Sequence, residues 1–200
     1  MNILSQQASS VGAIDLDFHS INEKENFSFF DKLKNNEFKF LYLLGVDDIN
    51  FNKDGKFIVY QGSHGDRGAE IADIILPGAA YTEKNGLFVN LEGKLQNSYK
   101  ASYPPGESVE DWKIVNDLSA LLKRKKLYQI KDELIDSMMN YIKLNKKDKN
   151  NKVSETEFLS EKILVDPNDY YYSNVIARSS NTMSQCRSEK IKIKSTGTDG

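Results

Sequence analysis

The sequence has 200 residues, of which 39% are hydrophobic, enough for one globular domain with surplus polar chain. Its 27 Lys and Arg residues nearly balance its 29 Asp and Glu residues, so no global field indicates a nucleic acid, a membrane surface or a polyanion as partner. The single cysteine, Cys186, excludes an internal disulfide and a thiolate cluster built from this chain alone, and no apolar run approaches the roughly 20 residues of a membrane-spanning helix.

Three short apolar runs, rich in aromatic and β-branched residues, predict buried strands: Phe38–Leu44, Phe57–Tyr60 and Ile71–Leu76. Each run is almost continuously hydrophobic instead of alternating, which is typical of a strand covered on both faces in a parallel sheet. Glycine or proline follows each run closely and would end the strand there. The sequence therefore predicts an α/β fold.

After Pro77 the pattern changes to two short runs, Leu87–Asn90 and Lys94–Ala101. The turn pairs Asn85-Gly86 and Glu92-Gly93 bracket the first of them. Short runs separated by turns that contain glycine favour a hairpin-like extension. We therefore expect this part of the chain to leave the parallel sheet.

A helix is predicted after Pro104–Gly106, with Ser108 as its N-cap and Asp111 three residues on to complete an approximate capping box. Apolar residues at helical spacing continue on both sides of the basic run Lys123–Lys126. This pattern indicates two amphipathic helices or one broken helix, and the sequence leaves that choice open.

The rest of the chain is more polar. Residues 145–152 are all Lys, Asn or Asp, a composition that cannot bury enough surface to become ordered, and a last helix is predicted from about Ser173 to Cys186. These patterns predict an α/β part at 1–122, a basic amphipathic helix at 123–144, a polar linker at 145–165, and a C-terminal helix with a tail at 166–200.

The run Tyr60–Gly86 carries a more specific signal. In order and spacing it resembles the matching part of the large iron–sulfur subunit family of respiratory complex I, NADH:ubiquinone oxidoreductase. Further segments resemble the same family: Asn2–Leu4, Val11–Leu16, Phe88–Gln96, Pro104–Gly106, Asp111–Ile114, Asp169–Tyr171 and Ser179–Cys186. The resemblance covers roughly residues 1–122 and 166–187 and leaves 123–165 uncovered.

The broader pattern resembles the molybdopterin oxidoreductases. It combines an Ala-Asp-x-x-Leu-Pro strand end at 72–77, an Asn-x-Glu-Gly hairpin turn, and a Pro-Pro-Gly helix start before Trp112. Lys94 departs from the family pattern, which often has Arg there. The segment at 61–69, Gln-Gly-Ser-His-Gly-Asp-Arg-Gly-Ala, together with Gly78–Thr82, is what resembles complex I and distinguishes this chain from the catalytic members of the superfamily.

This resemblance implies an incomplete molybdopterin-oxidoreductase-like parallel sheet with flanking helices, a hairpin-like extension and a partly irregular C-terminal tail. It also implies a split or fragmentary mitochondrial form of the subunit, on the matrix side of the inner membrane, with the bacterial cytoplasmic face as the alternative. The implied partners are the cluster-bearing N-terminal part of the subunit and other peripheral-arm subunits. No nucleic acid and no direct membrane span are expected.

The implied role is structural, as a part of the complex that supports electron transfer from NADH to ubiquinone coupled to proton translocation. No catalytic, cofactor-binding or metal-binding residue is expected on this chain, and the iron–sulfur clusters and FMN are expected elsewhere in the complex. The alternative is a fragment of a molybdopterin-dependent oxidoreductase such as a formate dehydrogenase. In that case Asn85, Gly86 and Asn90 would lie near a bound pterin nucleotide.

One loop contains residues that could carry chemistry. His64 lies between glycines beside Asp66, Arg67 and Glu70, and this set could act in acid–base catalysis or bind an anion. The favoured interpretation is that His64 and Asp66 satisfy backbone donors at a helix start while Arg67 pairs with a neighbouring subunit. His19 is expected to be solvated.

Three further features have structural interpretations. Cys186 is expected to be an ordinary buried thiol, and Tyr170–Tyr172 an interface or packing anchor instead of a radical relay. Residues 123–152 contain ten bases and four acids, which could indicate a patch for nucleic acid or anionic lipid. However, Tyr128 and Tyr141 do not form a stacking platform, so a solvated, species-specific insertion is favoured.

Overall fold

The computed structural model describes residues 8–18, 29–46, 51–65, 67–148 and 169–195. They fall into two compact units, which we name the sheet unit (residues 1–152) and the C-terminal unit (residues 153–200). The motif at 2–4, His19, Asp66 and residues 149–165 of the predicted linker lie outside the described residues.

The described part of the sheet unit contains five helices and five strands. In chain order these are α1 (Ser10–Asp15), α2 (Phe29–Lys34), β1 (Phe40–Leu44), β2 (Phe57–Gly62), α3 (Arg67–Glu70), β3 (Ile74–Pro77), β4 (Gly86–Val89), β5 (Leu95–Ser98), α4 (Asp111–Leu121) and α5 (Lys131–Asp148). The C-terminal unit contains a 3₁₀-helix (Tyr170–Tyr172), α6 (Val175–Arg178) and α7 (Asn181–Ser195). None of these helices is both long enough and apolar enough to cross a membrane.

The first three strands form a parallel sheet in the order β1-β2-β3, which confirms the predicted α/β class. Phe40 lies opposite Phe57 in the ladder. β3 begins at Ile74, later than predicted, because Asp73 makes a local clamp with β2. Its amide donates to the Ile58 carbonyl at 2.8 Å, and its carboxylate accepts from the Ile58 amide at 2.8 Å.

The predicted hairpin is confirmed by β4 and β5, which pair in antiparallel fashion. The Asn90 side-chain oxygen holds the turn by accepting from the amides of Glu92 at 3.1 Å and Lys94 at 2.8 Å. Gly93 has a φ of +80°, a conformation that favours glycine. The turn chemistry visible in the sequence therefore fixes this connection.

The core lies on one face of the parallel sheet. Its buried side chains come from α2, β1, β2 and the loop before β2, and they are Leu33, Leu41, Leu43, Phe51, Ile58 and Tyr60. Partly buried residues from α3 and the following loop pack against them. One hydrophobic cluster thus joins the first half of the described sheet unit.

The opposite face of the sheet is apolar but open at its amino-terminal half. The rings of Phe40 and Phe57 stack with centroids 6.2 Å apart, yet these residues are 56% and 46% exposed, and Ile74 is 45% exposed. Parallel sheets normally have both faces covered. We therefore expect another polypeptide to cover this face.

We predict that the chain expressed alone will be insoluble or molten. The open apolar face and the outer edges of β1 and β3 favour association and weaken a unique packing. Near-UV circular dichroism during heating, together with binding of a hydrophobic dye, measures this. A monodisperse monomer that melts cooperatively would contradict the prediction.

Helix α4 begins at Asp111, so the prediction of Ser108 as its N-cap is wrong. The N-cap is Glu110, whose side chain makes no cap hydrogen bond. The chain stays extended up to that point because Val109 forms a parallel bridge with Gly78 at the end of β3. The Ser108 hydroxyl is buried and has no hydrogen-bond partner among the described residues.

The apolar pattern after residue 111 forms two helices, α4 and α5. Lys123 has a φ of +58°, and the Arg124 amide donates to the Ser119 carbonyl at 2.9 Å, an arrangement that ends α4. Helix α5 continues to Asp148, beyond the start of the predicted linker at 145. The basic run therefore lies in the loop between the helices.

In the C-terminal unit, the prediction of one helix over 173–186 is wrong in its continuity. The Asn174 side chain accepts from the Ala177 amide at 3.0 Å and starts α6, while the Ser180 hydroxyl accepts from the Met183 amide at 3.4 Å and starts α7. Side chains that cap a new helix interrupt the preceding one. Helix α7 then continues to residue 195.

Candidate functional site

The polar candidate site lies at the carboxyl ends of the parallel strands, where ligands bind in many open α/β sheets. β1 supplies Tyr42, β2 supplies Gln61, and the first residue of α4 supplies Asp111. The turn before β4 supplies Lys84. The bridge between Gly78 and the segment before α4 brings these distant parts of the chain together.

Gln61 is the centre of this site and is fully buried. Its side-chain oxygen accepts a short hydrogen bond from the Tyr42 hydroxyl. Its amide nitrogen donates to the Asp111 carboxylate at 2.9 Å and to the Asp111 carbonyl at 3.3 Å. A buried amide that is satisfied on both sides fixes its neighbours in place.

Asp111 links the sheet to the turn before the hairpin. One carboxylate oxygen accepts from Gln61, and the other accepts a short hydrogen bond from the Lys84 ammonium. A Cβ added at Gly78 would lie 2.7 Å from the Asp111 carboxylate, so a larger residue there would displace this carboxylate from its hydrogen bonds. The start of α4 therefore packs closely against the end of β3.

A second charged cluster lies beside the first. The Glu110 carboxylate accepts from the Trp112 indole at 3.0 Å and from the Lys131 ammonium at 2.5 Å. Lys131 also donates a short hydrogen bond to the Asn85 carbonyl. The cluster therefore joins the N-terminal ends of α4 and α5 to the turn before β4.

Two side chains of these clusters have shifted acidities. Burial, and secondarily the charge of Asp111, raise the pKa of Tyr42, which keeps its hydroxyl protonated as a donor to Gln61. Burial alone would raise the pKa of Glu110, but the hydrogen bond and charge of Lys131, with the hydrogen bond from Trp112, hold it below its ordinary value. Both shifts favour the protonation state in which the observed contacts form.

The His64 loop forms no comparable cluster among the described residues. The His64 ring nitrogen Nδ1 lies 2.9 Å from the Ser63 hydroxyl, and its carbonyl accepts from the buried Tyr60 hydroxyl at 2.7 Å. Arg67 is 3.6 Å from Glu70 within α3, so it has an ion-pair partner in its own chain. Pairing of Arg67 with a neighbouring subunit stays a prediction.

In the C-terminal unit, Cys186 is exposed, so the prediction of a buried thiol is wrong. It lies on α7, whose sequence is mostly polar and offers few residues that could form a core around it. Tyr170 and Tyr171 pack edge to face at 5.6 Å, and the Arg187 guanidinium lies 4.6 Å from the Tyr172 ring. The tyrosine run therefore packs locally, and an interface role stays a prediction.

Asp169 and Arg187 tie the 3₁₀-helix to α7. The hydrogen bond from Arg187 holds the pKa of the Asp169 carboxyl below its usual range, and the same contact raises the pKa of Arg187. Both side chains are substantially exposed. The pair is therefore an exposed contact between the start of the 3₁₀-helix and α7.

Sequence reasoning missed the roles of Gln61, Lys84 and Lys131, and it assigned Asp111 only to a capping box. A polar residue near the end of an apolar strand was the available signal for Gln61, because a buried amide needs partners. Its partner is 50 residues away in sequence, and no local pattern indicates such a pair. The candidate site therefore emerged only from the folded structure.

Comparison with known protein families identifies the fold. The family model described as molybdopterin oxidoreductase matches residues 1–121, more than half of the chain. The chain belongs to the molybdopterin oxidoreductase family. A second model, which describes the C-terminal region of an NADH-ubiquinone oxidoreductase subunit, matches residues 139–186. The prediction that the resemblance to complex I skips 123–165 is therefore wrong for 139–165.

Several relatives match along nearly the whole chain. The NADH-ubiquinone oxidoreductase 75 kDa subunit of Reclinomonas americana is 44% identical over 94% of this chain, and the 78 kDa subunit of Candida albicans is 38% identical over 96%. An NADH-quinone oxidoreductase subunit of Rickettsia conorii is 38% identical over 92%. The chain spans 27% to 29% of the length of these relatives. The predicted resemblance to the complex I subunit is confirmed.

The family name refers to a pterin cofactor, and the alternative interpretation places Asn85, Gly86 and Asn90 near one. At the carboxyl ends of the strands, Gln61 and Asp111 are engaged with each other and with their neighbours. Asn85 accepts from the Lys100 amide at 2.9 Å, and Asn90 holds the hairpin turn. The side-chain oxygens of Asn85 and Asn90 therefore support turns of this chain, and the expectation that the chain binds no cofactor stays a prediction.

Proposed function

We propose that this chain is a structural, cluster-free part of the large iron–sulfur subunit of complex I. The observation that carries the proposal is the match of relatives named as NADH oxidoreductase subunits over more than nine tenths of the chain. The polar groups at the strand ends support the structural role, because they join β1, β2, the hairpin turn and α4 to one another. Their contribution is to stabilise the relative positions of these segments.

Within the assembled enzyme, the chain would complete the molybdopterin-like domain of the peripheral arm and support electron transfer from NADH to ubiquinone coupled to proton translocation. Its partners would be the cluster-bearing N-terminal part of the subunit and other peripheral-arm subunits. FMN and the iron–sulfur clusters would be bound by those partners. The location would be the matrix side of the mitochondrial inner membrane, or the cytoplasmic face in a bacterium.

Isolation of native complex I from the source organism tests membership. Peptides of this chain should be present in amounts equal to those of the cluster-bearing part of the subunit. Absence of these peptides from a fully assembled, active complex would refute the proposal. Metal analysis of the assembly that contains the chain then distinguishes complex I from the alternative, a molybdopterin-dependent oxidoreductase. Such an enzyme would carry one molybdenum or tungsten per copy.

We predict that His64→Ala and Arg67→Ala leave NADH-to-quinone activity per assembled complex nearly unchanged. The His64 ring contacts the Ser63 hydroxyl and Arg67 contacts Glu70, which are local contacts that support a loop and a short helix. Any loss should appear in the amount of complex assembled. Native gels with in-gel activity, normalised to subunit content, measure both quantities. A large fall in specific activity at normal assembly would make this loop a functional site.

A further inference from the structure

A groove runs beside the carboxyl end of β1, between α4 and α5. Its volume is about 360 Å³. The side chains that give it an apolar floor are Leu44, Trp112, Val115, Leu127, Tyr128 and Leu134. Leu44 is 48% exposed, Val115 is 47% exposed and Leu127 is 74% exposed, so the floor is open to the outside.

The basic run Lys123–Lys126 borders this groove. It directly precedes Leu127, and the Lys125 carbonyl accepts from the hydroxyl of Ser119, which also lines the groove, at 3.2 Å. All four basic residues are exposed. Lys126 pairs with Asp117 of α4 at 2.5 Å.

Side-chain hydrogen bonds anchor the loop that carries the basic run to α4 and α5. The Asn116 side chain accepts from the Leu127 amide at 3.0 Å and donates to the Tyr128 carbonyl at 2.8 Å. Glu133 accepts from the Gln129 amide at 2.8 Å at the start of α5. A loop that is already ordered loses little entropy when it binds a partner.

We propose that this groove binds a polypeptide segment of another chain that presents a large apolar side chain flanked by Asp or Glu residues. The concave space of about 360 Å³ between the helices accommodates one large apolar side chain, and the exposed basic run beside it attracts negative charge. Leu121, Leu122 and Leu127 protrude beside the same basic run, so a lipid surface is the competing occupant, and a lipid adduct in the experiment below would identify it. A nucleic acid would favour exposed aromatic platforms, whereas the exposed lining here is mostly aliphatic.

This binding site would add a partner to the proposed function, and it rests on that function only because the partner must belong to a larger assembly. The test replaces Leu127 with the photo-crosslinking residue p-benzoylphenylalanine in the full chain, with Tyr103→p-benzoylphenylalanine as the control. Tyr103 is 78% exposed and lies outside the groove. After irradiation of the native assembly, the Leu127 site should link to a peptide of another chain that has Asp or Glu beside a large apolar residue, and the Tyr103 site should not link to that peptide.

A matched pair of charge reversals tests the basic border. Lys125→Glu should lower the yield of that crosslink about tenfold, whereas Lys94→Glu, on the exposed hairpin, should leave it unchanged. Both residues are exposed, so neither change should unfold the chain. A lipid or nucleic-acid adduct, a linked peptide without acidic residues, no crosslink, or equal yields from the two variants would overturn the inference. Crosslinking to an acidic, apolar peptide in an assembly other than complex I would sustain it while refuting the proposed function.

Discussion

Gly68→Val should remove most of the assembled protein. Gly68 is buried in α3, and a Cβ at this position would lie 2.6 Å from the Val46 carbonyl oxygen and 3.0 Å from the Tyr60 ring. Tyr60 cannot move aside easily, because it is a buried core residue whose hydroxyl donates to the His64 carbonyl at 2.7 Å. We expect a cost of about 3 kcal/mol or more, because close packing leaves no room for the added methyl groups. The fraction of the chain found in the assembled complex on native gels measures the effect.

The control for this prediction is Gly65→Ala in the neighbouring loop. A Cβ at Gly65 would meet nothing within 4 Å, and this residue is exposed. The two variants therefore lie close together in sequence but differ in the space around the new side chain. Equal assembly of Gly68→Val and the unchanged chain would show that the α3 contact with the sheet is not required. Equal loss in both variants would show that the loop acts through some property other than packing.

The parallel sheet could be predicted because its signal is local and strong. Phe57–Tyr60 is almost wholly apolar, which indicates a strand of a buried parallel sheet, and Pro77 marks the end of the third run. A few neighbouring residues are thus enough to predict both the strands and their ends. In the structure β2 begins at Phe57 as predicted, whereas β1 begins at Phe40 instead of Phe38 and β3 at Ile74 instead of Ile71. The clamp between Asp73 and Ile58 causes one such shift, and it depends on a residue from another strand.

The start of α4 shows the limit of local patterns. Ser108 with Asp111 has the spacing of a capping box, yet Val109 pairs with Gly78 and keeps the backbone extended past Ser108. A contact between distant residues thus overrode a local preference, as tertiary context often does. The Gln61–Asp111 pair depends on the same bridge. Sequence could supply the resemblance and the fold, but the site depends on which segments meet.

Asp111→Ala should be strongly destabilising, because it removes the carboxylate that two polar side chains, Gln61 and Lys84, contact. The fully buried Gln61 amide would lose the nearer of its two acceptors and keep only the Asp111 backbone carbonyl at 3.3 Å, and Lys84 would lose the carboxylate that it contacts. Loss of the partner of a buried polar group costs about 1 to 3 kcal/mol, and the ion pair adds to this, so we expect a total of about 2 to 4 kcal/mol. Two quantities measure the effect. The temperature at which half of this chain is lost from the isolated assembly should fall, and the fraction of the chain that is assembled should also fall.

Two further variants separate the hydrogen bond from the charge. Asp111→Asn keeps an oxygen that can accept from Gln61 but removes the negative charge beside Lys84, so its loss should lie between those of the Ala variant and the unchanged chain. Asp136→Ala, on the exposed face of α5, should change stability by no more than about 0.5 kcal/mol. If Asp111→Ala matched Asp136→Ala, the network around Gln61 would not hold α4 against the sheet. If Asp111→Asn were as damaging as Asp111→Ala, the negative charge of Asp111 would be the dominant requirement. Helix α4 would then be held against the sheet by the ion pair with Lys84 instead of by the hydrogen bond with Gln61.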